Sequence, residues 1–295
     1  MEHIKTPKFI SPTFFKDYTY SKKRHFDLFK ENKYDEELFG RDIDPDYCDL
    51  KVYQDMLMLA YVKQNILPGS KMLDVGGRAS RILKYFANEM ECWNIDKLEG
   101  VGNGPVDDQF DREGYRLVSD YMGNFNTELP NDYFDIVFSI STLEHVPLDD
   151  YESYANILKD INRVLKPGGY SVHCIDVVWI KPDTVWTNEI MPYFYKNEKL
   201  INEFIPFNKV IEDEDLYHMT EKYYSENWQN TTGKPFQEFG TPFSYNFLWR
   251  KPEIISNEIS EVEIKNTEIE IPQQKDASPD LNSTDLNSVE SASIV

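Results

Sequence analysis

Two glycines, Gly76 and Gly77, stand between a short apolar run (Met72, Leu73, Val75) and the start of a helical pattern. Strand, glycine turn and helix in direct succession bring backbone N–H groups close to a small-molecule ligand in α/β folds. Lacking Cβ, both residues can take positive φ and let the chain approach that ligand. A turn that needs glycine for geometry alone reads the same way. Asp96 follows roughly twenty residues on, where an acid can accept both hydroxyls of an adenosine ribose. Asp120 comes next and is placed to accept from an exocyclic amine, with Ile95, Tyr121 and Met122 as apolar faces for a purine. Either acid alone reads as a loop cap. Their joint placement after consecutive strands favours a nucleoside site.

Such a site needs elements that deliver these residues to one edge. Leu50, Tyr53, Leu57, Ala60 and Tyr61 recur at helical spacing, and Pro68-Gly69 ends that helix before a first strand opens at Lys71. A crossover helix over residues 80–88 turns Ile82, Leu83, Phe86 and Ala87 inward. A second strand over 91–95 ends on Asp96, and a third over 115–119 ends on Asp120. The fourth, over 134–140 (FDIVFSI), is nearly continuous in apolar residues, as in the middle of a parallel sheet. An amphipathic helix over 150–165 is broken at Lys166-Pro167-Gly168-Gly169, and a fifth strand runs over 170–178. This alternation predicts an α/β fold with a doubly wound, mostly parallel sheet. Ligands bind such sheets at the carboxyl ends of the strands, near the switch in strand order. Gly76-Gly77, Asp96, Asp120 and the stretch from Ser139 to Glu144 all stand at those ends.

Residues 1–48 read as a helical N-terminal extension packed over the sheet domain, which spans 49–252. Within it, 179–212 reads as a lid or substrate loop with a short helix at 198–204. A helix over 213–228 follows, then an antiparallel pair formed by FQEFG (236–240) and FSYNFLWRK (243–251). Beyond that the composition shifts. Residues 251–295 hold ten acids against three lysines, a net charge of −7, and too little apolar mass to fold alone. Residues 253–295 are therefore expected to form an acidic, disordered tail.

With 295 residues, 40% hydrophobic and 14% aromatic, the chain can bury one substantial core. A net charge of −21 without a clustered basic face argues against a nucleic-acid partner. Cys48, Cys92 and Cys174 lie far apart and show no metal-ligand spacing, so no metal centre is expected. Unpaired cysteines fit a reducing cytoplasm. No signal-peptide core opens the chain and no apolar run reaches membrane-spanning length. The expectation is a soluble cytoplasmic protein.

LDVGG (73–77), NID (94–96), SD (119–120), FDIVFSISTLEHV (134–146) and RVLKPGGYSV (163–172) occur in this order. Through them, about residues 50–250 resemble the class I S-adenosylmethionine-dependent methyltransferases. The resemblance implies a Rossmann-like, seven-stranded sheet with a final antiparallel hairpin, S-adenosyl-L-methionine as cofactor, and methyltransferase activity. It implies a cofactor site of Asp74, Gly76, Gly77, Arg78, Ile95, Asp96, Asp120, Tyr121 and Ser139. One departure stands out: the family's glycine turn usually alternates three glycines, and here Arg78 and Ser80 replace two. Ser80 can cap the next helix, and Arg78 can pair with the cofactor carboxylate.

A sulfonium is an activated methyl donor, so the protein mainly aligns a nucleophile and excludes water. A base is needed only for a hydroxyl or a protonated amine. His145 is the best placed candidate, with Glu144 and Asp176; His145 reads equally well as a loop histidine capping the next helix. His218 is a more distant candidate, and His173, inside a strand, reads as buried structure. Trp179, Trp186, Tyr193, Phe194 and Tyr195 either shape an acceptor pocket or pack the lid. The acceptor expected is a small molecule or a glycan or lipid precursor, methylated on O or N. Three other classes stay open. A non-catalytic partner subunit that keeps the fold rests on Arg78 and Ser80. A nicotinamide-dependent oxidoreductase would need G-x-G-x-x-G where the chain has GGRASR (76–81). An interaction protein would act through the acidic tail.

Overall fold

The computed structural model describes residues 17–41, 43–99, 113–180 and 184–253. The expectations for the first sixteen residues, for most of the glycine-rich loop after Asp96 and for the tail past 253 lie outside the described residues.

Seven strands make one sheet: β1 (Lys71–Val75), β2 (Glu91–Ile95), β3 (Arg116–Val118), β4 (Phe134–Ile140), β5 (Leu165–Ile180), β6 (Thr184–Trp186) and β7 (Thr241–Arg250). They lie in the order β3-β2-β1-β4-β5-β6, with β7 also paired to β5. The first five strands are mutually parallel, and β6 and β7 run antiparallel to β5. This is the doubly wound, mostly parallel sheet that the strand-helix alternation predicts. Strand order reverses between β1 and β4, so the crevice beyond their carboxyl ends is the switch point.

Period-two alternation feeds a core on each face of the sheet. Met72, Ile136, Phe138 and Ile140 enter one core with residues of α3 (Leu50–Asn65) and α4 (Arg81–Phe86). Leu73, Val75 and Val137 enter the other with Tyr154, Ile157 and Ile161 of α5 (Tyr151–Val164). The α3 helix starts on Asp49, whose side chain accepts from Lys51 N, and α4 starts on Ser80, whose hydroxyl accepts from Leu83 N. Ahead of them, α1 (His25–Glu31) and α2 (Glu36–Phe39) add to the first core, where Phe26 and Phe29 meet Tyr53 edge-on or tilted at 5.6 and 5.3 Å.

The C-terminal third departs from the sequence reading in three places. FQEFG is not a strand. Phe236 and Phe239, three residues apart, both pack on Tyr224 at 5.5 and 5.1 Å, which a helical turn (Phe236–Phe239) allows and an extended strand does not. The partner of β7 is instead β5, in register from Tyr170↔Arg250 to Trp179↔Thr241. On the opposite edge of β5, β4 stops at Cys174 and β6 takes over at Val178–Ile180.

The helix expected at 198–204 is displaced to α6 (Ile190–Asn197) and α7 (Phe207–Ile211). Residues 200–202 between them are tied to β7, where Ile201 N donates to Leu248 O at 2.7 Å and Leu248 N donates to Asn202 Oδ1 at 3.0 Å. The helix expected over 213–228 begins only at Glu221, capped by the Thr220 hydroxyl, and widens into a π-helical turn at Tyr224–Trp228. Residues 216–217 instead pair with the N-terminal segment, with Tyr217 N donating to Ser21 O at 3.0 Å, and Met219 N donates to Pro242 O in β7 at 2.9 Å. No helix among the described residues is long and apolar enough to cross a membrane.

Candidate active site

The turn after β1 is fixed from three sides. Gly76 sits at φ +72, and its N–H donates to Ile95 O at 2.8 Å. A Cβ at Gly76 would run into the Thr142 side chain after β4, and one at Gly77 would run into the Asp74 carboxyl. Asn94, in β2, accepts from Gly77 N at 3.1 Å and donates to Arg78 O at 2.8 Å. This clasp shapes the turn. Arg78 takes φ +48, a left-handed conformation for a residue with a Cβ, and its side chain is exposed.

The acids past β2 and β3 organise their own loops. Asp96 Oδ2 accepts from Arg78 N at 3.0 Å and Oδ1 from Leu98 N at 2.8 Å, so one carboxylate ties the two cofactor-side loops together. Asp120 accepts from Tyr121 N and Asn124 Nδ2 on one oxygen and from Asn126 Nδ2 on the other. Burial opposes its ionisation, yet these donors together hold the Asp120 carboxyl below the usual aspartate range. Tyr121 is exposed, and its hydroxyl donates to Glu99.

A cavity of about 520 Å³ opens at these strand ends. That volume falls within the roughly 300–1,000 Å³ typical of small-molecule sites. Gly76, Arg78, Ile95, Asp96, Asp120, Tyr121 and His145 all line it. Asp74 and Gly77 lie behind the turn rather than on the wall. Ser139 does not reach the cavity: it is fully buried, and its hydroxyl lies 2.7 Å from His173 Nδ1. This corrects the expectation for Ser139. The period of two in β4 turns it inward, at the register position opposite His173. His173 is held at its other ring nitrogen by Ser171 and is buried structure.

Beside the cavity, the Ser141 hydroxyl shares its one proton between Gln54 Oε1 at 2.5 Å and Asp176 Oδ1 at 2.9 Å, and Gln54 Nε2 donates to the same Asp176 oxygen at 2.8 Å. Glu144, buried in the short turn Leu143–His145, accepts from Asp176 N at 3.3 Å through Oε1, while its Oε2 has no partner. Burial, then the neighbouring Asp176, pushes the Glu144 carboxyl well above its ordinary range. Burial also raises Asp176, against the pull of its Gln54 and Ser141 donors. His145 is exposed toward the cavity, but crowding by protein holds its imidazole below the usual value, opposed by Asp176. A neutral imidazole and a carboxyl pair that shares its charge are groups able to accept a proton.

Lys51, Gln54, Asn94, Ser141 and Thr142 also belong to the site and were not singled out from the sequence. Gln54 carried a signal, a polar residue inside the buried stripe of α3. The roles of the others depend on neighbours that only folding supplies.

Asp74 gives the site a pH signature. It is 3% exposed, its Oδ1 has no partner, and burial lifts its carboxyl from 3.8 to about 7. Between those values the folded chain keeps a proton that the unfolded chain has lost, so stability falls as pH rises from about 4 to about 7. Asp74→Asn is expected to flatten that decline and to be more stable than the parent at about pH 8. Urea midpoints measured across the range check it.

Residues 73–173 match a family model described as a methyltransferase domain. The matched region carries β1, the glycine turn, β2 and β4, and ends in β5. This stretch therefore reads as a methyltransferase domain, about a third of the chain. No curated protein matches the sequence. Among solved structures, the chain is similar to Haemonchus contortus phosphoethanolamine N-methyltransferase 2 bound to phosphomonomethylethanolamine and S-adenosylhomocysteine. The identity is 16%, with 74% of this chain and 56% of that one covered and a TM-score of 0.43. This chain thus spans little more than half of that protein. It is also similar to Burkholderia thailandensis 1,6-didemethyltoxoflavin-N1-methyltransferase (14% identity, 84% and 93% covered, TM-score 0.40). A third likeness is to the [4+2]-cyclase SpnF (12% identity, 78% and 96% covered, TM-score 0.46).

Proposed function

We propose that this chain is an S-adenosyl-L-methionine-dependent methyltransferase that moves a methyl group to an O or N atom of a small molecule or a glycan or lipid precursor. The observation that carries it is the cradle at the switch point. Gly76 leaves no room for a side chain, and the cavity beside it is walled by Asp96, Asp120 and Tyr121. These residues fit a nucleoside with an amino-acid arm. Asp96 would hold the ribose hydroxyls, Ile95 and Tyr121 would flank the adenine, and Asp120 would face its edge. Backbone at Gly76 and Gly77, with Asp74 behind them, would form the floor under the arm. When bound, the cofactor supplies a sulfonium-activated methyl group.

On the acceptor side, the chain's own contribution is to orient a nucleophile and to receive a proton. His145 at the cavity wall, and Asp176 backed by Glu144, are placed to do so. Calorimetric titration with S-adenosylhomocysteine tests the reading. Binding supports it, and absence of binding to folded protein favours the non-catalytic partner, a reading kept alive by Arg78 on the turn.

Arg78 has a separable test. Arg78→Gly removes a left-handed residue with a Cβ, a conformation that costs about 1–2 kcal/mol, so the variant should be more stable by about that amount. The same change removes a guanidinium from the cavity wall and should weaken S-adenosylhomocysteine binding. Unchanged affinity would show that the Arg78 side chain does not pair with the cofactor carboxylate.

A further inference from the structure

The cluster behind Ser141 and His145 has an unusual hydrogen-bond inventory. Gln54 Nε2 is spent on Asp176 Oδ1 and on Ser244 Oγ at 3.0 Å, and Gln54 Oε1 takes the Ser141 hydroxyl. Ser244 in turn donates to Asn246 Oδ1 at 2.6 Å, and Asn246 Nδ2 donates to Tyr18 O at 2.6 Å. Asp176 Oδ2 makes no hydrogen bond among the described residues, and Glu144 Oε2 is unpartnered on a side chain only 5% exposed. A carboxylate oxygen left without a partner is stabilised when a donor enters beside it.

Charge narrows the donor further. Lys51, in the first turn of α3, lines the cavity and makes no ion pair among the described residues. Its charge bears on Glu144, Asp176 and His145 alike. With both carboxyls ionised and His145 neutral, one lysine leaves the group one positive charge short. Without a ligand, a proton retained on Glu144 meets that deficit. A cationic donor beside Asp176 would meet it instead. An alcohol would not.

We propose that the acceptor presents a primary or secondary amine, bound as its ammonium ion, to Asp176 Oδ2 beside Ser141, with Glu144 giving up its proton to solvent as the amine arrives. This rests on the methyltransferase reading and narrows its acceptor to a basic nitrogen. The paired carboxyls are then both ionised, and Asp176 can next accept an ammonium proton: one N–H bond breaks, one O–H bond forms, and the nitrogen keeps the electron pair as its lone pair. His145 and Lys51 flank the nitrogen from the wall. Asp176 thus becomes the proton acceptor, and His145 a group that shapes the approach.

The test uses the full chain saturated with S-adenosylhomocysteine, ¹³C-labelled at the Asp and Glu carboxyls, at about pH 7. It is titrated with n-propylammonium and, separately, with n-propanol. The expected result is that propylammonium moves the Glu144 carboxyl resonance to its ionised position and releases a proton, seen by calorimetry in two buffers of different ionisation heat. Propanol should do neither. Asp176→Asn should weaken the propylammonium response by about tenfold or more. Glu144→Gln should abolish the proton release. Circular dichroism checks the folding of both variants. Silence of both carboxyls toward propylammonium, or an equal response to propanol, overturns the amine inference while bound S-adenosylhomocysteine leaves the methyltransferase reading standing. Failure of S-adenosylhomocysteine to bind strikes the broader reading first.

Discussion

Gly76→Ala is expected to eliminate S-adenosylhomocysteine binding and to destabilise the fold by about 2–5 kcal/mol, from the left-handed conformation and overpacking together. Two independent physical causes contribute. At φ +72 any residue with a Cβ is strained, and that Cβ would run into the Thr142 side chain, with Oγ1 2.8 Å away and Cγ2 closer still. A double variant separates them. Thr142→Ala added to Gly76→Ala leaves only the Thr142 Cβ, at 3.1 Å, against the new methyl group. The double variant should recover the packing share and retain the conformational share of about 1–2 kcal/mol. Urea denaturation of the parent, both single variants and the double completes the cycle. A Gly76→Ala protein with parental stability and affinity would mean that the turn does not form as described.

The second large effect belongs to Asp96. Asp96→Ala should reduce S-adenosylhomocysteine affinity by at least about 100-fold, since each hydrogen bond to a charged group contributes roughly 1.5–3 kcal/mol and the two proposed to the ribose hydroxyls are lost. The same carboxylate also accepts from the amides of two residues at positive φ, Arg78 at +48 and Leu98 at +58, and so holds two strained loops against the cavity. Those loops are partly exposed, and global stability should change far less than affinity. Asp96→Asn keeps one acceptor oxygen and should fall between parent and Asp96→Ala. Calorimetric titration of the three proteins decides it. An affinity unaffected by Asp96→Ala would remove this residue from the cofactor site.

Much of the sheet is legible in the chain itself. β1, β2 and β4 are short, largely apolar runs bounded by turn residues, buried at nearly every position with alternate residues in opposite cores. The glycine turn, Asp96 and Asp120 could be placed at one edge because chain order fixes which end of a parallel strand they follow. The C-terminal third was harder to read. Phe236, Phe239 and the aromatic run of β7 fit a hairpin on pattern alone, and only the position of Tyr224 selects the helical turn. Likewise, residues 200–202 are not helical because the edge of β7 offers them hydrogen bonds.

Local pattern therefore determined the strands, the glycine cradle and the methyltransferase resemblance, since each depends on residues within a few positions of one another. Tertiary structure decided what surrounds them. It turned Ser139 toward His173 instead of the cavity, and it drew Gln54, Ser141, Glu144 and Asp176 from three distant stretches into one network. It also set the protonation of that network, because burial and like-charge contact exist only once β4, β5 and α3 meet. A carboxyl's type can be read from a sequence, but its charge state depends on what packs against it.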